Sequence, residues 1–449
     1  MVANALLLLA PFLLGALALR AIGVRWKEDW LAWCAWVWPC GCVALAAPLW
    51  AAIVCGVPSN WWPLAPVLAA GVLCGIGSRR DEPRLTAAVA RPSWLLQVAL
   101  LFAVALFLGH AVTSIGYPCL VGDEANLWAT KAKSLFLDWP AGDFAAAQAH
   151  TPHPDYPLLN PLLQAWIYAG NGAITHFENR WPVMLCGLSV VFAVAAAARR
   201  FVGDRVVAIL VVALACEPEH AHMSTTAFSD GMVGLGLLLA LDGYLRERDE
   251  PRRAHRAIGA LGAAFALWSK NEATMYLALA ALAYAVDALR RRQLPRLGSA
   301  ACWLALPVGI AACQNAWNRW FDLHNDLFGQ GGPQGSVLQL FVAQFRDRAL
   351  PVLDAATRAI FDPRRLHFVL ALPLLLLILA PRIALSRRHF VPTCAIAGAL
   401  VVLHLIYVGS YLLLEFHLAT SQRRVLFQLV PVTLVWAAAI TRDLREGRA

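Results

Sequence analysis

The chain has 449 residues, 60% of them hydrophobic and only 14% charged, with a formal net charge of +9 and a mean hydropathy of +0.60. Those values exclude an ordinary soluble domain and describe a polytopic membrane protein. Nucleic acid is not the expected partner either, because the basic residues sit in short clusters between apolar runs, where orientation signals belong.

The apolar runs are continuous rather than alternating, which marks helices and not a barrel. Candidate spans run over about 3–24, 30–56, 62–77, 94–116, 204–217, 229–245, 257–268, 272–289, 299–320, 366–381, 390–411 and 425–440. The first, MVANALLLLAPFLLGALALR, has no positive charge ahead of its apolar core and reads as a span rather than a removed signal peptide. Basic clusters at 25–27, 79–91, 199–205, 246–256, 290–296, 382–388 and 442–448 are placed together on the cytoplasmic side. The parity then agrees except over 158–199, where two apolar helices occupy the room of one crossing; one of them is expected to be short, tilted or surface-lying. The expected fold is therefore all-α, a bundle of about 11 to 13 spans with the N-terminus outside and the C-terminus inside. Residues 1–93 form an N-terminal group of helices, and 94–449 carry the outer polar segments 117–157, 218–228 and 321–365. The 11 cysteines fall mostly inside spans and read as small core residues, not as a disulfide or zinc framework.

The outer segments hold the acids, histidines and amides. GDEANLWATKAKSLF, from Gly122, places Asp123 and Glu124 just past a span, followed by Lys131 and Lys133, then Asp138, Asp143, His150, His153 and Asp155. Acids at a helix start complement its dipole; held at a membrane surface, they equally suit a base for an acceptor hydroxyl or ligands of a divalent cation. ACEPEHAHMSTTAFSDG brings Glu217, Glu219, His220 and His222 together at spacings that fit either a metal or a solvated hydrogen-bonding loop, and Asp230 opens the next helix. LWSKNEATMY interrupts an apolar hairpin with Lys270, Asn271 and Glu272. Broken helices of this kind line cavities, where Lys270 would hold a phosphate as a point charge; the alternative is a lysine snorkelling from a turn. Asp322, His324 and Asp326 fit a solvated loop, and the amphipathic stretch SVLQLFVAQFRDRALPVLDAATRAIF is expected along the membrane surface. EFHLATSQRRVLFQLVP sets His417, Arg423 and Arg424 ahead of the last span, against the positive-inside trend. A bound anion gives such arginines a reason, and so do outer-leaflet lipid phosphates.

The order of these signals resembles the polyprenyl-phosphate-sugar-dependent glycosyltransferases of the GT-C superfamily, the class of protein mannosyltransferases and aminoarabinose transferases. An acidic pair follows an early span, then come a Tyr-Pro-Leu helix carrying Trp166, Arg180 at a helix start, Asp230 at another, Lys270 in a broken hairpin, and His417 with Arg423 and Arg424 before the final helix. The resemblance covers about 117–290 and 404–440. The chain departs from it in having four spans rather than one before the acidic pair, and in lacking a clear acid-x-acid arrangement in the second outer segment. The resemblance implies a sugar moved from a polyprenyl-phosphate carrier to an envelope lipid, glycan or protein on the outer face of a bacterial inner membrane, with inversion. Asp123 is then the base with Glu124 beside it, Lys270, Arg423 and Arg424 hold the donor phosphate, and His153, Tyr156, Trp166, Asp230 and His417 line the substrate. It implies no organic cofactor and leaves room for Mg²⁺ or Mn²⁺ at Asp123, Glu124, Glu219 and His220. A lipid-linked glycan ligase or polymerase is the nearest alternative. A transporter or flippase fits less well, since the ionisable residues gather on one face and no repeat is evident.

Overall fold

The computed structural model describes residues 2–26, 29–77, 91–118, 122–137, 151–292, 297–324, 337–410 and 412–447. Most of the basic cluster at 79–91 therefore lies outside the described residues, as do Asp138, Asp143, His150 and Asp326. The chain is an all-α helical bundle, with no strand among the described residues. Among the described residues seven helices are long and apolar enough to cross a membrane: Trp30–Val54, Ser59–Ile76, Trp94–Ser114, Glu178–Ala198, Glu272–Arg290, Phe390–Gly409 and Leu414–Arg445. Leu7–Ala21 and Leu366–Leu379 are shorter apolar helices. The other expected spans are helices too, but shorter or less apolar.

The main helices are α1 (Val2–Ala21), α2 (Trp30–Val54), α3 (Ala65–Gly77), α4 (Trp94–Ile115), α5 (Thr130–Leu137), α6 (Leu159–Asn171), α7 (Trp181–Ala198) and α8 (Asp204–Ala215). They continue with α9 (Asp230–Asp249), α10 (Arg253–Ser269), α11 (Glu272–Arg290), α12 (Leu297–Trp320), α13 (Val337–Ile360), α14 (Leu372–Leu379), α15 (Phe390–Gly409) and α16 (Val430–Arg445). Local sequence sets several of their ends. Asp29 caps α2 by accepting from the Ala32 N–H at 3.1 Å, Ser93 caps α4, and Gly172, at φ +65°, closes α6 in the left-handed conformation that glycine adopts without strain.

One hydrophobic core runs from α1 to α16. The N-terminal helices belong to it: the Trp38 indole donates to the Pro182 carbonyl at 2.9 Å, and that of Trp166 to the Leu7 carbonyl at 3.2 Å. The ambiguity over 158–199 resolves into α6 and α7. Residues 159–168 of α6 are all buried, so it is a short internal helix and does not lie on the surface. Three fully buried amides fix it. Asn160 donates to the Ala227 carbonyl (2.7 Å) and the Ser229 hydroxyl (2.9 Å), Gln164 donates to Asn160 (2.8 Å), and Asn179 donates to Gln164 (2.7 Å). The amphipathic α13 packs along α15, with Val352 buried against Tyr407 and Val408. Its Arg348 donates to the carbonyls of Ser410 and Leu412.

Two ends of the bundle have different chemistry. At one, Arg246 pairs with Asp242 (2.9 Å) and Asp29 (3.3 Å), Arg200 with Asp249 (2.6 Å), Arg388 with the same Asp249 (2.7 Å), and His389 meets Asp443 at 2.9 Å. The opposite ends of α9, α10 and α11 carry Asp230, Lys270 and Glu272. The helix break expected at 269–271 is present, with Lys270 in extended conformation between α10 and α11.

Small residues let α9 and α10 approach backbone to backbone. A Cβ on Gly262 would stand 2.6 Å from the Ala240 nitrogen and 2.7 Å from the Gly236 carbonyl oxygen, and one on Gly243 would stand 2.5 Å from the Gly259 backbone. Such close approach is how membrane helices gain packing energy when lipid is as apolar as the side chains. Gly262→Leu is therefore expected to destabilise the protein by at least about 1–3 kcal/mol. Gly309→Leu, where a Cβ meets nothing within 4 Å, serves as the control, and thermal unfolding in detergent of the two variants measures the difference.

Candidate active site

A cavity of about 1330 Å³ opens at the end of the bundle where the helices carry Asp230, Lys270 and Glu272. Its wall draws on the loop before α6, the turn between α10 and α11, one face of α12, and the irregular segment ahead of α16. That last segment contains a π-helical turn over Leu418–Gln422, and a second such turn follows Asp123 over Glu124–Ala129. Widened turns of this kind recur where a helix must present side chains to a site. Gly122, at φ +60°, lets the chain turn into the latter.

Lys270 is the hub of the site. Its ammonium lies 3.0 Å from Asp230 and 2.9 Å from Glu272. Burial acts against its charge, but the two carboxylates outweigh burial and hold its pKa above the ordinary lysine value. Asp230 also accepts from the Gln428 amide at 2.6 Å and stands 3.6 Å from Arg424. Arg424 donates to Asp123 at 2.8 Å and lies over the Phe228 ring at 4.4 Å. A continuous chain of charges thus runs Asp123, Arg424, Asp230, Lys270, Glu272, and the Tyr156 hydroxyl donates to Glu272 at 3.4 Å.

The residues expected from sequence sort into three groups. Asp123, His153, Tyr156, Lys270, His417, Arg423, Arg424 and Glu219 all line the cavity. Asp123 is 41% exposed, and His153 stacks on Tyr156 with ring centroids 4.6 Å apart. Arg423 is exposed, and its guanidinium has no ion-pair partner among the described residues, whereas Lys270 and Arg424 are already matched by carboxylates. Asp230 stands behind the wall at 1% exposure, as the counter-ion of Lys270. Glu124 and Trp166 require correction. Glu124 turns into the protein, accepts from the Ala227 N–H at 2.8 Å and pairs with the buried Arg180 at 3.2 Å. It ties the segment that follows α4 to the one that precedes α9. Trp166 is buried against α1 through its bond to Leu7, away from the cavity.

The expected metal set also separates. Glu219 pairs with Arg365 at 2.5 Å, and His220 bonds the Gly187 carbonyl at 3.0 Å, where burial lowers its pKa to about 4 and keeps the ring neutral. No group of three or more His, Cys, Asp or Glu residues among the described residues is placed to hold a metal ion. Placed apart and already engaged with other partners, these residues do not fit a divalent cation.

Several contributors escaped the sequence reading. Lys131 is fully buried, and its ammonium donates to the carbonyls of His153 (2.8 Å), Pro154 (2.9 Å) and Tyr156 (3.2 Å), shaping the loop that presents those residues. Gln314, Asn315 and Asn318 on α12 line the cavity. The signal for them is a run of amides at helical spacing inside an otherwise apolar span.

No protein-family model matches the chain, and no curated protein matches it. Two solved structures are similar to it. One is ArnT from Cupriavidus metallidurans in the apo state, with 18% identity over 78% of this chain and 62% of that one and a TM-score of 0.49. The other is the same protein bound to undecaprenyl phosphate, with 16% identity over 76% and 59% and a TM-score of 0.49. This chain spans about three-fifths of the length of those structures. A likeness at these values assigns no residue roles.

The different settings of the two adjacent acids have a measurable consequence. Glu124→Ala leaves Arg180 buried without its carboxylate and is expected to cost about 3–5 kcal/mol. Asp123→Ala, at a partly exposed pair, is expected to cost about 1 kcal/mol or less. Thermal unfolding of the two purified variants separates them.

Proposed function

We propose that this protein is a membrane glycosyltransferase that moves a sugar from a polyprenyl-phosphate carrier to an envelope lipid, glycan or protein, working on the extracytoplasmic side. The observation that carries this reading is the composition of the cavity. It joins an accessible carboxylate, Asp123, to a cation without an ion-pair partner among the described residues, Arg423, and to apolar side chains that include Met275, Ala278, Leu403 and Ile406. A lipid phosphate that carries a sugar needs all three: a slot for the isoprenoid, a cation for the phosphate, and a base for the acceptor.

In this reading the acceptor oxygen attacks the anomeric carbon while the bond from that carbon to the phosphate oxygen breaks, its electron pair leaving with the phosphate. The acceptor proton passes to Asp123, which Arg424 holds in place. Arg423 offsets the charge that develops on the leaving phosphate. Lys270, neutralised by two carboxylates, positions the turn between α10 and α11 more than it grips the phosphate. Attack opposite the leaving group inverts the anomeric centre. Glu124 and Trp166 take no chemical part.

Undecaprenyl phosphate, which one of the similar structures holds, is the first carrier to test. With a labelled sugar on it, Asp123→Asn is expected to lower turnover by about 10²–10⁴-fold, equivalent to about 3–5 kcal/mol, with thermal stability nearly unchanged. Arg423→Gln is expected to raise KM for the carrier about tenfold or more, with a smaller change in kcat. Wild-type turnover by Asp123→Asn would remove the base assignment.

Sidedness has its own test. In a cysteine-free background, Glu415→Cys beside the cavity should react with an impermeant thiol reagent in intact cells. Arg253→Cys, exposed at the opposite end, should react only after lysis. The reverse pattern would invert the orientation and exclude an extracytoplasmic site.

A further inference from the structure

One wall of the cavity differs from the rest in carrying amides instead of charges. Ala311, Gln314, Asn315 and Asn318 all line it, at positions i, i+3, i+4 and i+7 of α12, which is one face of a helix. That face is held in register from behind: Trp317 packs on Trp50 of α2 with ring centroids 6.2 Å apart, and Trp50 packs on Trp268 at 5.3 Å.

The amides are tied to the turn that bears the charged network. Asn318 donates to the backbone carbonyl of Asp155 at 3.0 Å, Asn271 donates to the Asp155 carboxylate at 2.6 Å, and Gln314 donates to the Asn318 side-chain oxygen at 2.9 Å. Gln314 is 7% exposed, and its side-chain oxygen is buried without a hydrogen-bond partner among the described residues. A buried acceptor left unmet costs about 1–3 kcal/mol. Amides can donate and accept, as hydroxyl groups do, and the 311–318 face of α12 offers no formal charge to match an ammonium or a carboxylate.

We propose that this amide face of α12 is the subsite for the sugar of the donor, and that it selects a neutral, polyhydroxylated sugar over an amino sugar or a uronic acid. The inference rests on the glycosyltransferase reading and adds to it the class of sugar. It concerns a helix outside the stretches 117–290 and 404–440 that carry the family resemblance. Gln314 and Asn318 are the specificity-determining side chains, and Asn315, exposed on the same face, completes the wall.

The experiment is displacement of labelled undecaprenyl phosphate from the purified full-length protein by four competitors: the bare carrier, and the carrier bearing a neutral hexose, an amino sugar or a hexuronate. The wild-type protein is expected to bind the hexose-bearing form more tightly than the other three. Gln314→Leu and Asn318→Leu should each erase about five- to tenfold of that preference while leaving affinity for the bare carrier within about twofold. Asn315→Asp alters only an exposed residue and should shift preference toward the amino sugar. Equal loss for all four competitors in the leucine variants would overturn the subsite, as would a wild-type preference for a charged sugar or an unchanged ranking in Asn315→Asp. Failure of the wild-type protein to bind even the bare carrier would instead overturn the glycosyltransferase reading, and the subsite with it.

Discussion

The site depends on keeping a largely buried ammonium charged. A buried lysine without partners loses its proton or unfolds its surroundings, since the desolvation penalty amounts to several kcal/mol. Here Asp230 comes from the start of one helix and Glu272 from the start of another, and Lys270 lies in the break between α10 and α11. The three meet only because α9 and α10 run backbone to backbone, at a spacing that Gly236, Gly243, Gly259 and Gly262 permit. Gln428 and Arg424 then attach the final segment to the same aspartate. Helix packing deep in the bundle therefore sets the geometry of a charge network at its end.

Within that network the charges divide the work. Pairing fixes Lys270 and Arg424 against carboxylates, which makes the wall rigid and electrically nearly balanced, whereas Arg423 reaches the cavity exposed. A preorganised wall needs little rearrangement as charge develops in a reaction, which is where electrostatic catalysis draws its strength. Glu124 contributes from outside the cavity by joining the segments that flank it through Ala227 and Arg180. The buried amides Asn160, Gln164 and Asn179 extend the same bracing inward.

Continuous apolar runs and the break at 269–271 were legible in the sequence because both are local: hydropathy marks a helix, and a Lys-Asn-Glu triplet cannot sit mid-membrane unmatched. The acidic and basic signals in the sequence also fall on several of the charged residues that line the cavity. What sequence could not supply was direction. Asp123 and Glu124 are neighbours of the same charge, yet one faces the cavity and the other the interior, because the π-helical turn after Gly122 sends adjacent side chains to different sides. Trp166 misled for a related reason: an indole that looks like a sugar platform is held by a carbonyl far away in the chain. The amides of α12 went unseen because they sit within a span, where single polar residues read as noise until their common face is known.

The bond between Arg424 and Asp123 joins residues 301 positions apart, and that separation sets a timetable for biosynthesis. As the chain emerges, the α9–α10 hairpin can close early, its contacts being near in sequence and cheap in loop entropy. Asp123, by contrast, stays without its arginine, and Asp230 without Gln428, until the segment 424–428 has been made. A nascent chain inserted up to α15 thus lacks the stretch 412–425 of the cavity wall and still has no assembled centre. Synthesis of the segment that carries Arg424 and Gln428 is therefore the event that brings the site together, and a chain stopped short of it sits in the membrane without the arginine that orders its acid.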